Sequence, residues 1–309
     1  MSQLTVDDFR GDRRRLRTES AAKVLLTLAG VFSVLVSALI VFSLFREAWT
    51  FITQVDWSTV IGPDAVGWFP RRGQYGIMTL IVGSLIVTVI AMVISVPIGL
   101  ATAVYLSEYA KPRVRRVLKP AIEVLAGIPS VVIGFFALTF IAPEIIQSIW
   151  SASPQQTMMA AGIGVGVMII PIIASISEDA MASVPDALRE ASYGMGARKI
   201  TTVTKVVLPA AVSGLVAAMI IAVSRAMGET MVVFIAAGSA GGSLFQTDPL
   251  EPGLTMTAGM ASLAAGTDSV VGEGLTFQSL FFVGLVLFAI TMALNLFADR
   301  FVRRVRQKY

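Results

Sequence analysis

Apolar and polar positions along this chain separate into long blocks. Six apolar blocks, at about 24–45, 76–106, 124–142, 158–176, 210–237 and 280–297, are divided by shorter stretches that hold nearly all the charge. An apolar helix of roughly 18 residues or more crosses hydrocarbon, so the pattern predicts six spanning helices. No small-residue cleavage site follows the first block, which reads as a retained helix rather than a signal peptide. The second block is over-long and contains Pro97, which predicts a kink, or a helix that leaves the membrane before it ends. Pro171 interrupts the fourth. The stretch from Arg46 to Gln74 reads as a mixed loop whose Trp49, Trp57 and Trp68 suit a membrane–water interface.

Composition agrees with the pattern. Charged residues make up 14% of the 309 and hydrophobic ones 55%, against roughly 25% charged in a soluble domain, and the mean hydropathy is +0.79. The absence of His and Cys excludes thiol nucleophiles, disulfides, imidazole bases and the usual transition-metal sites. No GxxxxGK[ST] phosphate-binding loop is present, so nucleotide hydrolysis by this chain alone is not expected. Of an intramembrane enzyme's chemistry, only Ser, Lys or carboxylate groups would remain, and an embedded Arg/Glu pair is a poor nucleophile–base set.

The net charge of +4 does not point to nucleic acid, because the cations flank the apolar blocks. Arg13, Arg14, Arg15 and Arg17 precede the first, SEYAKPRVRRVLKP follows the second, and DRFVRRVRQKY closes the chain. The loop from Gly238 to Gln278 has no Lys or Arg but contains Asp248, Glu251, Asp268 and Glu273, which read as a solvated face. The positive-inside rule then puts both termini in the cytoplasm. The organisation expected is a basic tail at 1–20, a first helix and external loop at 21–75, a five-helix core at 76–298, and a cytoplasmic tail at 299–309. No internal repeat suggests two halves of a transporter in one chain, which points to a partner.

Between the fourth and fifth blocks lies REASYGMGARKITTVTKVVLP. Both halves read as short helices. PDALREAS offers Pro185 at a first-turn position and Asp186 near the positive end of the dipole. ARKITTVTKVV puts Ile200, Val203 and Val207 at helical spacing, with Lys199 and Lys205 elsewhere on the surface. Gly194 and Gly196 permit the turn between them. The residues alone allow an ordinary cytoplasmic helical hairpin or a rigid peg docking in a groove of another protein.

The spacing resembles the cytoplasmic signature of ABC importer permeases: Glu-Ala-Ala, three residues, Gly, nine residues, Ile, one residue, Leu-Pro. Glu190, Ala191 and Ser192 stand at the triplet, Gly196 follows, and Val206, Leu208 and Pro209 close the motif within the loop at 178–209. Ser192 and Val206 depart from the pattern but are small and β-branched respectively. The resemblance implies that this loop is the coupling element seated in an ATPase subunit.

Arg225 in SRAMGET falls about halfway along the fifth block, with Glu229 four residues later on the same expected helix face. An arginine at bilayer depth costs about 2.5–3.5 kcal/mol even on the lenient insertion scale. Two readings stand: a structural ion pair that fixes helix packing, or an arginine fork facing a water-filled path and taking an oxyanion. Glu229 would repel a fully ionised anion but accept from one that keeps a proton. Phosphate near neutral pH retains a P–OH and sulfate does not, so the pair would discriminate between them.

SRAMGETMVV, EVLAGIPSVVIG, the SEYA turn at 107–110 and SEDAMASVP look like the PstC permeases of phosphate ABC importers. That resemblance implies an all-α, six-helix type I importer permease, with Arg225 and Glu229 as transport residues and Gly127 and Pro129 shaping a pore-side kink. It also implies a homologous PstA-type permease, a dimer of ATPase subunits binding MgATP, and an extracytoplasmic phosphate-binding protein docking on the loops at 46–74 and 238–278. No cofactor is expected on this chain. Sulfate, molybdate or phosphonate cargo, or a secondary transporter, are the alternatives. Pro97, Pro129 and Pro171 read as static kinks or hinges.

Overall fold

The computed structural model describes residues 13–62, 65–238, 242–265 and 274–305. Six of its helices are long and apolar enough to cross a membrane. The first, α1 (Arg13–Gln54), has 42 residues and is about 63 Å long, twice the thickness of a hydrocarbon core. Its middle is exposed. Only its last turns are buried, where Phe51 stacks on Phe282 and meets Tyr75 edge-on. This packing carries the helix through Arg46 to Gln54, so Trp49 lies on α1 and not in a loop. Trp68 does not face the surroundings as an interfacial residue would: it is 1% exposed, on strand β1 (Gly67–Phe69).

Two antiparallel neighbours flank β1: β2 (Gln74–Tyr75), with Trp68 opposite Tyr75, and β3 (Ser243–Leu244), with Trp68 opposite Ser243. This small sheet marks one end of the bundle, here called the sheet end.

The core is the pairing of α2 (Ile77–Val104) with α5 (Met158–Ala182). In lipid there is no hydrophobic drive between helices, so close backbone approach over small residues supplies the attraction. Here a methyl group on Gly162 would come within 2.7 Å of Ile90, and one on Gly166 within 3.0 Å of the Ala91 carbonyl. Pro97 lies inside α2 and Pro171 inside α5, both helices continuing past them. A π-turn, Tyr105–Tyr109, ends α2.

The third span begins later than its apolar block. Residues 124–125 belong to an amphipathic helix, α3 (Pro112–Leu125), and the span α4 runs Ser130–Ile149. A residue before proline is driven out of helical conformation, so Ile128–Pro129 ends one helix and starts the next. Pro129 caps α4 instead of kinking it. The irregularity inside α4 is a π-helical stretch, Ala137–Ile146, around Pro143, which cannot donate to the carbonyl of residue 139.

After α5 come α6 (Asp186–Gly194) and then α7, continuous over Lys199–Met227. The second half of the hairpin is therefore the first turns of the fifth span and not a separate short helix. A π-turn at Val203–Val207 absorbs the donor missing at Pro209. Helix α7 stops at Gly228, and the chain restarts as α8 (Met231–Ala236). The next segment, expected to be an external loop, folds back into the bundle as α9 (Met256–Ala264), with Leu254, Met256 and Ala258 buried. Gly83 admits it, since a methyl group there would lie 2.4 Å from the Leu254 carbonyl oxygen. Asp248 and Glu251 are exposed; Asp268 and Glu273 lie outside the described residues. The last span is α10 (Thr276–Val305), longer than its apolar block.

Candidate functional site

Arg225 occupies the last turn of α7, and Glu229 lies beyond the end of that helix, so the two do not share one helix face. The break at 228–230 turns the chain so that Glu229 is 4% exposed while the Arg225 side chain is 52% exposed. They remain neighbours, Nη2 of Arg225 standing 3.7 Å from a carboxylate oxygen of Glu229. That exceeds the 2.7–2.9 Å of a charge-assisted hydrogen bond. The other carboxylate oxygen of Glu229 accepts from the Val232 backbone N–H at 3.4 Å. The Glu229 carbonyl, freed by the helix break, accepts from the Thr257 hydroxyl of α9 at 2.6 Å. At the foot of α9 the Met256 N–H donates to the Ser84 hydroxyl at 3.0 Å. The start of α8 thus holds the carboxylate and α9 holds the backbone that carries it, while the guanidinium projects from the end of α7. Ile221, Arg225 and Gly228 form one exposed stripe of α7.

The hairpin lies at the opposite end of α7. Its turn requires Gly196, whose φ is +79°, a conformation other residues adopt at a cost of about 1–2 kcal/mol. Gly194 has no such role. It ends α6 without a positive φ, and a methyl group there would touch nothing within 4 Å. Ser192, a departure from the motif, bridges the two arms: its hydroxyl is 2.8 Å from that of buried Thr202. Val207 and Leu208 root the hairpin in a cluster with Ala103, Met181, Val184 and Leu188. Val206 is half-buried, and Glu190, Ala191 and Pro209 are exposed. The tip presents Met195, 89% exposed, with Tyr193 and Ile200 beside it.

Residues 95–308 match the family described as the binding-protein-dependent transport system inner membrane component. The chain belongs to that family. It is thus a multi-pass inner-membrane transport component, and the six-span all-α permease fold implied by the resemblance is the fold present. The phosphate transport system permease protein PstC of Mesorhizobium japonicum is 30% identical over 306 residues, covering 93% of this chain and 88% of the relative. PstC 1 of Mycobacterium tuberculosis is 33% identical over 282 residues, 82% of each chain. The probable ABC transporter permease protein YqgH of Bacillus subtilis is 41% identical over 177 residues, 57% of each. Among solved structures, a bacterial alginate ABC transporter in complex with its alginate-bound periplasmic protein aligns with a TM-score of 0.67 at 13% identity, over 96% of this chain and 98% of that one. The inward-facing MetNI methionine transporter aligns at 0.53 and 21% identity, over 75% and 95%. At such identities the likeness is one of fold.

Within this permease, sequence reasoning missed the ionic layer beside the hairpin. Arg189, in α6, donates to Glu108 Oε1 at 3.0 Å, to the Met181 carbonyl at 2.8 Å and to the carbonyl of Val184, and pairs with Asp186 at 3.2 Å. Glu178 at the end of α5 is fully buried and takes Arg115 and Lys119 from α3. Burial alone would lower the Lys119 pKa, but its bonds to Asp179 and Glu178 outweigh this and raise it above the ordinary 10.5. The signal available in the sequence was the placing of two acids, Glu108 and Glu178, at the ends of apolar blocks.

Proposed function

We propose that this chain is the membrane-spanning permease subunit of an ATP-driven phosphate importer. It forms the pathway with a homologous PstA-type permease. Its hairpin, from Glu190 to Pro209, docks in one subunit of an ATPase dimer that binds MgATP, while this chain carries no cofactor. The sheet end faces outward, toward an extracytoplasmic phosphate-binding protein, and both termini and the hairpin face the cytoplasm. The relatives' names and the charge pattern support these assignments.

The observation that carries the pathway assignment is the asymmetry of Arg225 and Glu229. A purely structural pair would bury both groups and close to hydrogen-bonding distance. Here the arginine is half exposed and 3.7 Å from its acid, which leaves its N–H fork available to an oxyanion. Glu229, held by Val232 and Thr257, then accepts the P–OH of a protonated phosphate, a contact sulfate cannot return. The exposed Met195, Tyr193 and Ile200 suit a peg that buries its tip in a groove. The test is uptake by the complete importer in proteoliposomes. Arg225→Ala abolishes ATP-dependent phosphate uptake while the complex still assembles, and Glu229→Gln narrows the preference for phosphate over sulfate. Uptake at the native rate by Arg225→Ala overturns the assignment.

A further inference from the structure

The end of α2 and the start of α3 enclose a cleft of about 550 Å³ that the transport reading does not use. Its walls are Leu106, Ser107 and Ala110 on one side and Arg115, Arg116 and Lys119 on the other, with Glu123 at the far rim. We propose that this cleft holds the phosphate group of an anionic phospholipid of the inner leaflet. The inference rests on the orientation proposed above, in which this end of the bundle is cytoplasmic.

Three observations carry it. First, the cleft opens where the apolar segment Ile77–Tyr109 ends, the level of the headgroups. Tyr105 and Tyr109 there are 46% and 43% exposed, as aromatic residues at a membrane interface are. Second, α3 is an amphipathic helix with no buried residue. Val117, Leu118 and Leu125 are exposed along the same helix as its cations, the make-up of a helix lying in the interfacial plane. Third, the cations are unequally engaged. Arg115 and Lys119 hold Glu178 and keep further N–H donors for an oxyanion. Arg116 is exposed and has no carboxylate partner among the described residues. Arg115 and Lys119 are balanced by Glu178 and by Asp179 behind the cleft, so the uncompensated charge at its mouth is that of Arg116, and cations on the cytoplasmic side of a membrane protein suit phospholipid headgroups. A phosphate seated here bridges Arg116 to the two cations that clamp α3 onto α5. Anionic lipid therefore stiffens the layer from which the hairpin emerges.

The test uses the complete importer. Native mass spectrometry of the detergent-extracted complex measures retained phosphatidylglycerol, and phosphate uptake is compared in vesicles of phosphatidylcholine with and without phosphatidylglycerol. The expected result is lipid retention by the native complex that falls about fivefold in Arg116→Gln, the worth of one basic residue near an anionic surface. Uptake stimulated by phosphatidylglycerol in the native complex loses that stimulation in Arg116→Gln. Arg113→Gln, an equal charge change at an exposed position outside the cleft, leaves both intact. Equal effects of the two substitutions indicate general surface charge and overturn the proposal, as does the absence of any retained lipid. Displacement of the retained lipid from the detergent-extracted native complex by inorganic phosphate indicates a free-phosphate site and overturns the lipid assignment. Uptake that still depends on Arg225 in phosphatidylcholine keeps the importer assignment separate from each of these outcomes.

Discussion

Replacing Arg189 with Met removes the cation at the centre of the hairpin's anchorage. The Glu108 side chain, 4% exposed, then keeps a charge whose remaining side-chain support is the Ser107 hydroxyl at 3.1 Å. The carbonyls of Met181 and Val184 lose a side-chain donor each. Removing one partner of a buried pair costs about 3–5 kcal/mol. The arginine's 14% exposure and the residual hydroxyl place this case at the lower end, about 3 kcal/mol. The penalty falls locally, since Arg189 joins α6 to the ends of α2 and α5 and to nothing at the sheet end. Hydrogen exchange of the purified complex reads it out: amides of residues 186–196 lose protection in Arg189→Met by about two orders of magnitude, the equivalent of 3 kcal/mol. Protection around Thr257 is unchanged. Glu108→Gln in the same background removes the stranded charge and restores at least about 1 kcal/mol, because contacting charges couple by 0.5–3 kcal/mol. Strict additivity of the two substitutions, or loss of protection spread evenly along the chain, would refute the reasoning.

Gly196→Val strains the turn at φ +79° and lowers ATP-driven uptake and copurification with the ATPase, whereas Gly194→Ala, which meets nothing within 4 Å, leaves both unchanged. A pull-down with the ATPase subunit as bait and an uptake assay check the pair. Thr257→Val deletes the hydroxyl on the Glu229 carbonyl, leaving a buried acceptor unmet at about 1–3 kcal/mol. It lowers the maximal uptake rate more than it raises the phosphate concentration at half-maximal rate, and Thr257→Ser restores the native rate.

Much of this fold is legible in the hydrophobic pattern, because a spanning helix must be apolar over most of its length whatever its neighbours. The errors arise where local chemistry and the pattern part company. Lys199, Thr201, Thr202 and Lys205 read as part of a separate short helix, yet they continue the fifth span, because a helix leaving the hydrocarbon no longer needs apolar residues. The break at Gly228–Thr230 is hidden between two apolar runs, which merge into one block and place Arg225 at its middle. Helix α9 has nine residues, too few to register as a span, and contains Thr257 and Gly259, which dilute its hydropathy. It is held by a close approach to Gly83 and by hydrogen bonds that no local rule supplies. The candidate site was legible in its residue types, Arg225 and Glu229, and in the hairpin motif. Its geometry was not, since Thr257, Ser84, Glu108 and Glu178 meet their partners only through the tertiary arrangement.

Helix α7 continues, through its π-turn at Val203–Val207, from Lys199 at the hairpin to Met227 beside the break, 29 residues and about 43 Å. In the importer proposed above, such a rod is a lever whose hairpin end rests in the motor. A tilt of about 5° at the hairpin end sweeps Arg225 through 3–4 Å, comparable with its present 3.7 Å from Glu229. Glu229 does not travel with it, being pinned on the far side of the break by Val232 and Thr257. Interrupting the backbone at 228–230 thus turns a small angular stroke into the parting or meeting of two opposite charges, with no unwinding of the rod itself.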